Sequence, residues 1–201
     1  MSRPYRRSIT PGQLSLGLID DPIAIRDLLV AQLRQAGQNG RLVPEMGLCQ
    51  GRARIDLAAI GVGLDGYEIK SGRDDLRRLP AQAVVYGQVF DRVTLVAPER
   101  HLLAASRQVP DWWGLSVVNA DARRIEPLRQ PSENPACDAL STARLLWRDE
   151  VAAALEERLG KSPRAARPVL WRQLAEIASP DELRALVCRC LRDRTEWRAA
   201  G

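Results

Sequence analysis

The sequence is poor in the residues that build most metal cages and disulfide frameworks. Its 201 residues include one histidine, His101, and four cysteines, Cys49, Cys137, Cys188 and Cys190. Cysteines this sparse make no disulfide scaffold, and their spacing lacks the pairing of a zinc finger. Cys188 and Cys190 would point to different faces of a helix. The lone histidine has no serine or cysteine constellation beside it, which argues against a nucleophile–histidine triad and leaves it as a surface residue near a helix start. No apolar run approaches the roughly 20 residues that cross a bilayer. The basic opening MSRPYRRSIT leads into no apolar segment of the kind a signal peptide needs. Internal repeats and low-complexity tracts are missing too. A reducing, cytoplasmic setting without membrane attachment is therefore expected. Lysine is also scarce: of 30 basic residues only Lys70 and Lys161 are lysines. In an arginine background, a retained lysine suggests a place that needs a compact ammonium.

What is present describes a foldable chain. Hydrophobic residues make up 45% and charged residues 27%, ordinary for one or two small globular domains. The net charge of +5 permits a polyanionic partner, and its distribution is uneven. Residues 1–20 carry +2, residues 161–201 carry +4, and the stretch between is close to neutral.

Asp21-Pro22 is an N-cap followed by proline at the first helical position. Ile23, Ala24, Leu28, Leu29 and Leu33 recur at helical spacing, and Gly37 supplies the stop. Three strand-like runs follow over 41–48, 52–60 and 64–71, the last two joined by a glycine-rich hairpin. A helix is predicted over 75–90, a strand over 92–97, a short helix over 99–107 and a strand over 115–119. Pro127, Pro131 and Pro135 then punctuate a polar stretch that reads as a linker. Beyond it three helices are predicted: 138–157, about 168–178, and one opened by the capping box Ser179-Pro180-Asp181-Glu182. The expected organisation is a basic arm over 1–20, an α/β core over 21–126, a linker over 127–136 and a helical region over 137–201.

The chemistry concentrates in one hairpin. Asp56, Glu68 and Lys70 interrupt runs that otherwise look like core strands. Glu68 and Lys70 share a face because side chains alternate along a strand. If the hairpin closes through Gly61-Val62-Gly63, Ile60 opposes Leu64 and Asp56 opposes Glu68; a turn at Asp65-Gly66 would separate them. Opposed carboxylates are destabilising unless compensated, and a hard divalent cation such as Mg²⁺ is the natural compensator. Lys70 could orient a water or stabilise charge developing at a phosphate. These parts suit metal-assisted phosphodiester hydrolysis.

An acidic residue on one strand, Asp56, with Glu68-Ile69-Lys70 on the next, resembles the motif of the PD-(D/E)xK nuclease superfamily. The predicted αβββαβ order matches its core. Gln82 and Tyr86, at i and i+4, look like the Q-x-x-x-Y element of RecB-like members. The run DLRRLPAQAVVYGQVFDRVTLVAP is similar to a family of small bacterial proteins in that superfamily. The resemblance implies an α/β, restriction-endonuclease-like fold with a central mixed sheet, here followed by a C-terminal three-helix region. It further implies an Mg²⁺-dependent phosphodiesterase, a deoxyribonuclease of endonuclease type, with Mn²⁺ as substitute metal. Asp56 and Glu68 would bind the metal, Glu45 on the first strand would stand as a third acid, Lys70 would assist the attacking water, and Gln82 and Tyr86 would support the site. Arg54, Arg73, Arg77 and Arg78 are the candidate phosphate contacts.

Competing assignments stand beside these. Asp56 could instead pair with Arg52 or Arg54, and Glu68 with Lys70, as surface ion pairs. Arg73, Arg77 and Arg78 suit a solvated helix face as well as a cleft. Trp112 and Trp113 suit the core better than base stacking. Gly61-Val62-Gly63 joins strands rather than opening a helix, which excludes a dinucleotide loop. The C-terminal arginines suit DNA binding, a helical cap, or a surface for a second copy or a partner protein. The alternative to a nuclease is a catalytically silent nucleic-acid-binding or protein-interaction module on the same fold.

Overall fold

The computed structural model describes residues 20–161 and 163–195. The basic arm expected over 1–20 lies outside the described residues, apart from Asp20.

The first helix lying wholly within the described residues is α1 (Pro22–Gln35), capped as its sequence predicts: the Asp21 carboxylate accepts the Ile23 N–H at 2.9 Å. Strands β1 (Arg41–Leu48), β2 (Ala53–Ile60) and β3 (Leu64–Ile69) form an antiparallel meander. A 3₁₀ turn (Leu76–Arg78) leads into α2 (Leu79–Gly87), which returns the chain to β4 (Arg92–Ala97), parallel to β3. Helix α3 (Glu99–Ser106) then connects to β5 (Gly114–Asn119), parallel to β4. The result is a mixed α/β fold with the αβββαβ order and one six-stranded mixed sheet, ordered β1 to β6.

The two faces of the sheet bury different partners. On one, Ile25 and Leu29 of α1 pack with Leu57, Ile69, Val96 and Val118. On the other, α2 and the C-terminal helices pack on Val43, Ala58, Val93 and Leu95 in a single continuous core. Trp113 is fully buried there and stacks on Tyr86 with ring centroids 6.0 Å apart, so it belongs to the core.

Three expectations are corrected. Residues 127–129, expected in a linker, instead end an unforeseen edge strand, β6 (Arg124–Arg129), antiparallel to β5. Pro127 is tolerated because an edge strand need not donate on both sides. The rest of that stretch is tied down: Asn134 Nδ2 donates to the carbonyls of Gly87 and Phe90 at 2.7 and 2.8 Å.

The helix expected over 138–157 is two helices, α4 (Ala139–Ala143) and α5 (Arg148–Leu159), so among the described residues four helices follow the sheet rather than three. Trp147 between them is extended. The carbonyls at the break have distant partners: Leu146 O accepts Trp171 Nε1–H at 3.0 Å, and Leu145 O accepts from Arg194 at 2.7 Å. Helices α6 (Arg167–Ile177) and α7 (Pro180–Asp193) follow, α7 with its Ser179–Glu182 capping box formed.

Three arginines of this region make tertiary contacts. Arg184 Nε meets Asp91 at 2.7 Å, Arg192 donates to the Gly61 carbonyl, and Arg194 pairs with Glu150. No helix among the described residues is long and apolar enough to cross a membrane.

Candidate active site

The site forms where the β2–β3 hairpin meets α2. Ile60 pairs with Leu64, and the ladder steps back to Leu57 opposite Tyr67. This is the register of the Gly61–Gly63 turn, and it brings Asp56 beside the Glu68 end of β3. Regular pairing stops there. The Asp56 carboxylate reaches across and accepts the Ile69 N–H at 2.6 Å through Oδ2. Oδ1 has no partner among the described residues.

Glu68 and Lys70 lie on one face of β3 and its extension, as alternation requires. They are a buried pair, with Lys70 Nζ 2.6 Å from Glu68 Oε1 and side chains 5% and 2% exposed. A surface ion pair is thereby excluded for these two. Helix α2 supplies the rest, because positions four apart on a helix share a face. Gln82 Oε1 accepts from Lys70 Nζ at 3.1 Å, and Gln82 Nε2 donates to Tyr86 Oη at 3.2 Å. The Tyr86 hydroxyl lies 2.7 Å from Glu68 Oε2 and 2.8 Å from the Arg54 carbonyl, with one proton to share between them. Glu68, Lys70, Gln82 and Tyr86 thus form one closed network. Asp56 sits at its edge, paired with neither Arg52 nor Arg54.

Burial sets the electrostatics. Desolvation and the neighbouring Glu68 push the Asp56 carboxyl up to about 7, against the opposing pull of the Ile69 N–H and Lys70. Burial, with Glu68 alongside, also drives the Tyr86 phenol well above its usual range, so it stays a neutral hydroxyl.

The donor set suits a hard cation. Among the described residues no three His, Cys, Asp or Glu side chains converge as a ready cage. Mg²⁺ commonly takes only one or two carboxylates and keeps several waters. Asp56 offers an open oxygen, and a cation would relieve the desolvated acid. Both oxygens of the adjacent Glu68 are engaged, by Lys70 at 2.6 Å and Tyr86 at 2.7 Å, so it would join a cation only by sharing one of those oxygens. Glu45 falls in line with Asp56 on β1, but both its oxygens are engaged, by Arg26 at 3.2 Å and Arg54 at 2.7 Å.

The sign of the pH dependence follows. An unfolded chain ionises Asp56 near 3.8, whereas the folded one keeps its proton to about 7. Without metal, this group's contribution to stability therefore falls as pH rises between those values. A cation needs the carboxylate. If Asp56 holds a cation, a thermal shift given by Mg²⁺ should be small near pH 5, grow through about pH 7 and level off above it. Melting curves with and without Mg²⁺ across this range test it; a shift as large at pH 5 as at pH 8 would overturn the assignment.

Asp56, Glu68, Lys70 and Gln82 line a cleft of about 530 Å³, rimmed by Arg26, Arg52, Arg54 and Arg78. Of the four arginines expected at phosphates, Arg54 and Arg78 line the cleft. Arg73 and Arg77 do not. Arg73 turns to Asp20 at 3.4 Å, and Arg77 folds back on Asp75, whose carboxylate caps the 3₁₀ turn by accepting the Arg77 N–H at 2.8 Å. Arg26 and Arg52 went unforeseen. Arg26 lies one turn beyond Pro22, and only the burial of Ile25 and Leu29 decides which edge of α1 faces the cleft. His101, on α3, lies with Nε2 3.3 Å from the Gly72 carbonyl.

Fold and site together define a mixed α/β protein with a buried acid–lysine network under an arginine-rimmed cleft. The particular family is that of bacteriophage P4 protein cII, to which the chain belongs: the family model matches residues 23–199. Among solved structures the chain is similar to the SPO1766 protein of unknown function from Silicibacter pomeroyi. Identity there is 23%, over 76% of this chain and 94% of that one, with a TM-score of 0.41. No curated protein matches.

Proposed function

We propose that this protein is a Mg²⁺-dependent phosphodiesterase of the PD-(D/E)xK kind, acting on DNA as an endonuclease. One observation carries the proposal: Asp56, Glu68, Lys70 and Gln82, drawn from three elements, line a cleft whose rim carries four arginines, with Tyr86 buried behind Glu68. The choice of DNA rests on the resemblance of the motif.

Asp56 and Glu68 would hold the cation. When bound, Mg²⁺ lowers the pKa of a water and neutralises charge at the scissile phosphate. Lys70 would orient the attacking water and stabilise charge growing on the phosphate oxygens. Gln82 fixes the ammonium, and Tyr86 holds Glu68 in its rotamer. Rim arginines would seat flanking phosphates. Water contributes its hydroxyl to phosphorus and its proton to the departing ester oxygen.

The test is cleavage of plasmid and single-stranded DNA by the full-length protein with Mg²⁺ or Mn²⁺. Cleavage is expected in the wild type, with loss in EDTA and in Asp56→Asn. A second reading, a silent binding module, draws on the completeness of the Glu68–Lys70–Gln82–Tyr86 network, which satisfies its own charges without a metal. Absence of both cleavage and an Mg²⁺ thermal shift would favour it and overturn the hydrolytic proposal.

A further inference from the structure

We propose that Arg26 and Arg54 form a phosphate-binding pair at the cleft mouth, and that Glu45 is an internal carboxylate competing with the nucleic-acid phosphate for it. The inference rests on the reading of the cleft as a nucleic-acid site and names what its rim contacts.

Glu45 is held from two sides. Arg26 of α1 reaches Oε1 at 3.2 Å and Arg54 of β2 reaches Oε2 at 2.7 Å, so two guanidinium groups from separate elements converge on one anion. Guanidinium donors match carboxylate and phosphate oxygens by the same geometry. All three side chains line the cleft. Glu45 and Arg54 are 41% and 68% exposed, so an incoming phosphate can reach the pair without unpacking the core.

The backbone supports a dedicated role. Glu45 has φ of 54°, the left-handed region, inside an otherwise regular strand. The β1–β2 ladder pairs Pro44 with Leu57 and Met46 with Ile55, but forms no pair at Glu45. Left-handed backbone is costly for a residue with a long side chain and persists only where its surroundings enforce it. Here the distortion accompanies a carboxylate seated between the two arginines.

Displacement of Glu45 by a phosphodiester exchanges one anion for another and releases the carboxylate beside Asp56. Affinity for DNA is therefore reduced by the share of molecules in which Glu45 occupies the pair. Removing its charge should strengthen binding.

The experiment measures binding of a short fluorescein-labelled single-stranded DNA to the full-length protein in EDTA, across a salt series. Glu45→Gln should bind about tenfold more tightly than wild type at low salt. Its log–log salt dependence should steepen by roughly one to two units as freed arginines engage phosphates. Glu45→Asn, whose side chain tolerates left-handed backbone, should behave the same way. Arg26→Ala should weaken wild-type binding, and Glu45→Gln/Arg26→Ala should lose the gain. Matched melting temperatures exclude unfolding as the cause.

If Glu45→Gln and Glu45→Asn bind no more tightly than wild type, or the gain survives loss of Arg26, the inference is overturned even where the wild type cleaves DNA. Tighter binding in a protein that cleaves under no metal condition upholds this pair and overturns only the hydrolytic proposal.

Discussion

Lys70→Ala should lower the proposed Mg²⁺-dependent DNA cleavage by about 10²–10⁴-fold, the usual worth of a positioned proton-transfer or charge-stabilising group. The ammonium is held by Glu68 and Gln82 on the cleft floor, and no other lysine is near the site. The same change also leaves Glu68 buried without its counter-ion, and breaking a buried pair from one side costs about 3–5 kcal/mol. Lost activity must therefore be separated from lost fold. The double variant Glu68→Gln/Lys70→Met removes both charges together, should retain most of the wild-type melting temperature, and should be inactive. Lys70→Ala that melts normally and cleaves at the wild-type rate would remove Lys70 from the mechanism. Retention of the fold by the double variant but not by Lys70→Ala would show that the pair is coupled as the geometry describes.

The second large effect lies far from the cleft. Arg194→Ala should destabilise the protein by about 3–5 kcal/mol, which for a chain of this size lowers the melting temperature by roughly 10 °C. Arg194 is 8% exposed, bonds Glu150 through two nitrogens at 2.8 and 2.5 Å, and donates to Leu145 O at 2.7 Å. Its guanidinium also lies 4.3 Å from the centre of the Trp147 ring. Glu150 caps the start of α5 through the Trp147 N–H at 2.6 Å, so removing Arg194 loosens the cap and leaves a carbonyl without its donor. Thermal melts decide this. A change below about 1 kcal/mol would mean the contacts are replaced by water. Arg194→Lys should recover only part of the loss, because an ammonium cannot reproduce the planar fork.

Much of the site was legible from local rules. Period-two alternation placed Glu68 with Lys70, and the i,i+4 relation placed Gln82 with Tyr86. The Gly61–Gly63 turn aligned Asp56 with the end of β3. Each of these relations spans a few residues or one tight hairpin, where spacing and geometry are nearly the same thing. The corrected arginines show the limit. Arg73, Arg77 and Arg78 are close neighbours in sequence, yet capping by Asp75 turns Arg77 away while Arg78 stays at the rim.

What the sequence determined by itself was therefore the element order as far as β5, the capped starts of α1 and α7, and the acid–lysine motif. All follow from backbone periodicity, turn residues and local hydrogen bonds. Tertiary structure alone decided that Lys70 is sealed by its neighbours rather than exposed. It also decided that Arg26 faces Glu45 and that 124–129 pairs as a sixth strand. The helix expected over 138–157 likewise breaks at Trp147, where Trp171 and Arg194 take the carbonyls of Leu146 and Leu145. Partners 25 and 49 residues away in the chain make those bonds. Such contacts leave no trace in local spacing, because they exist only after the helices have packed against the sheet.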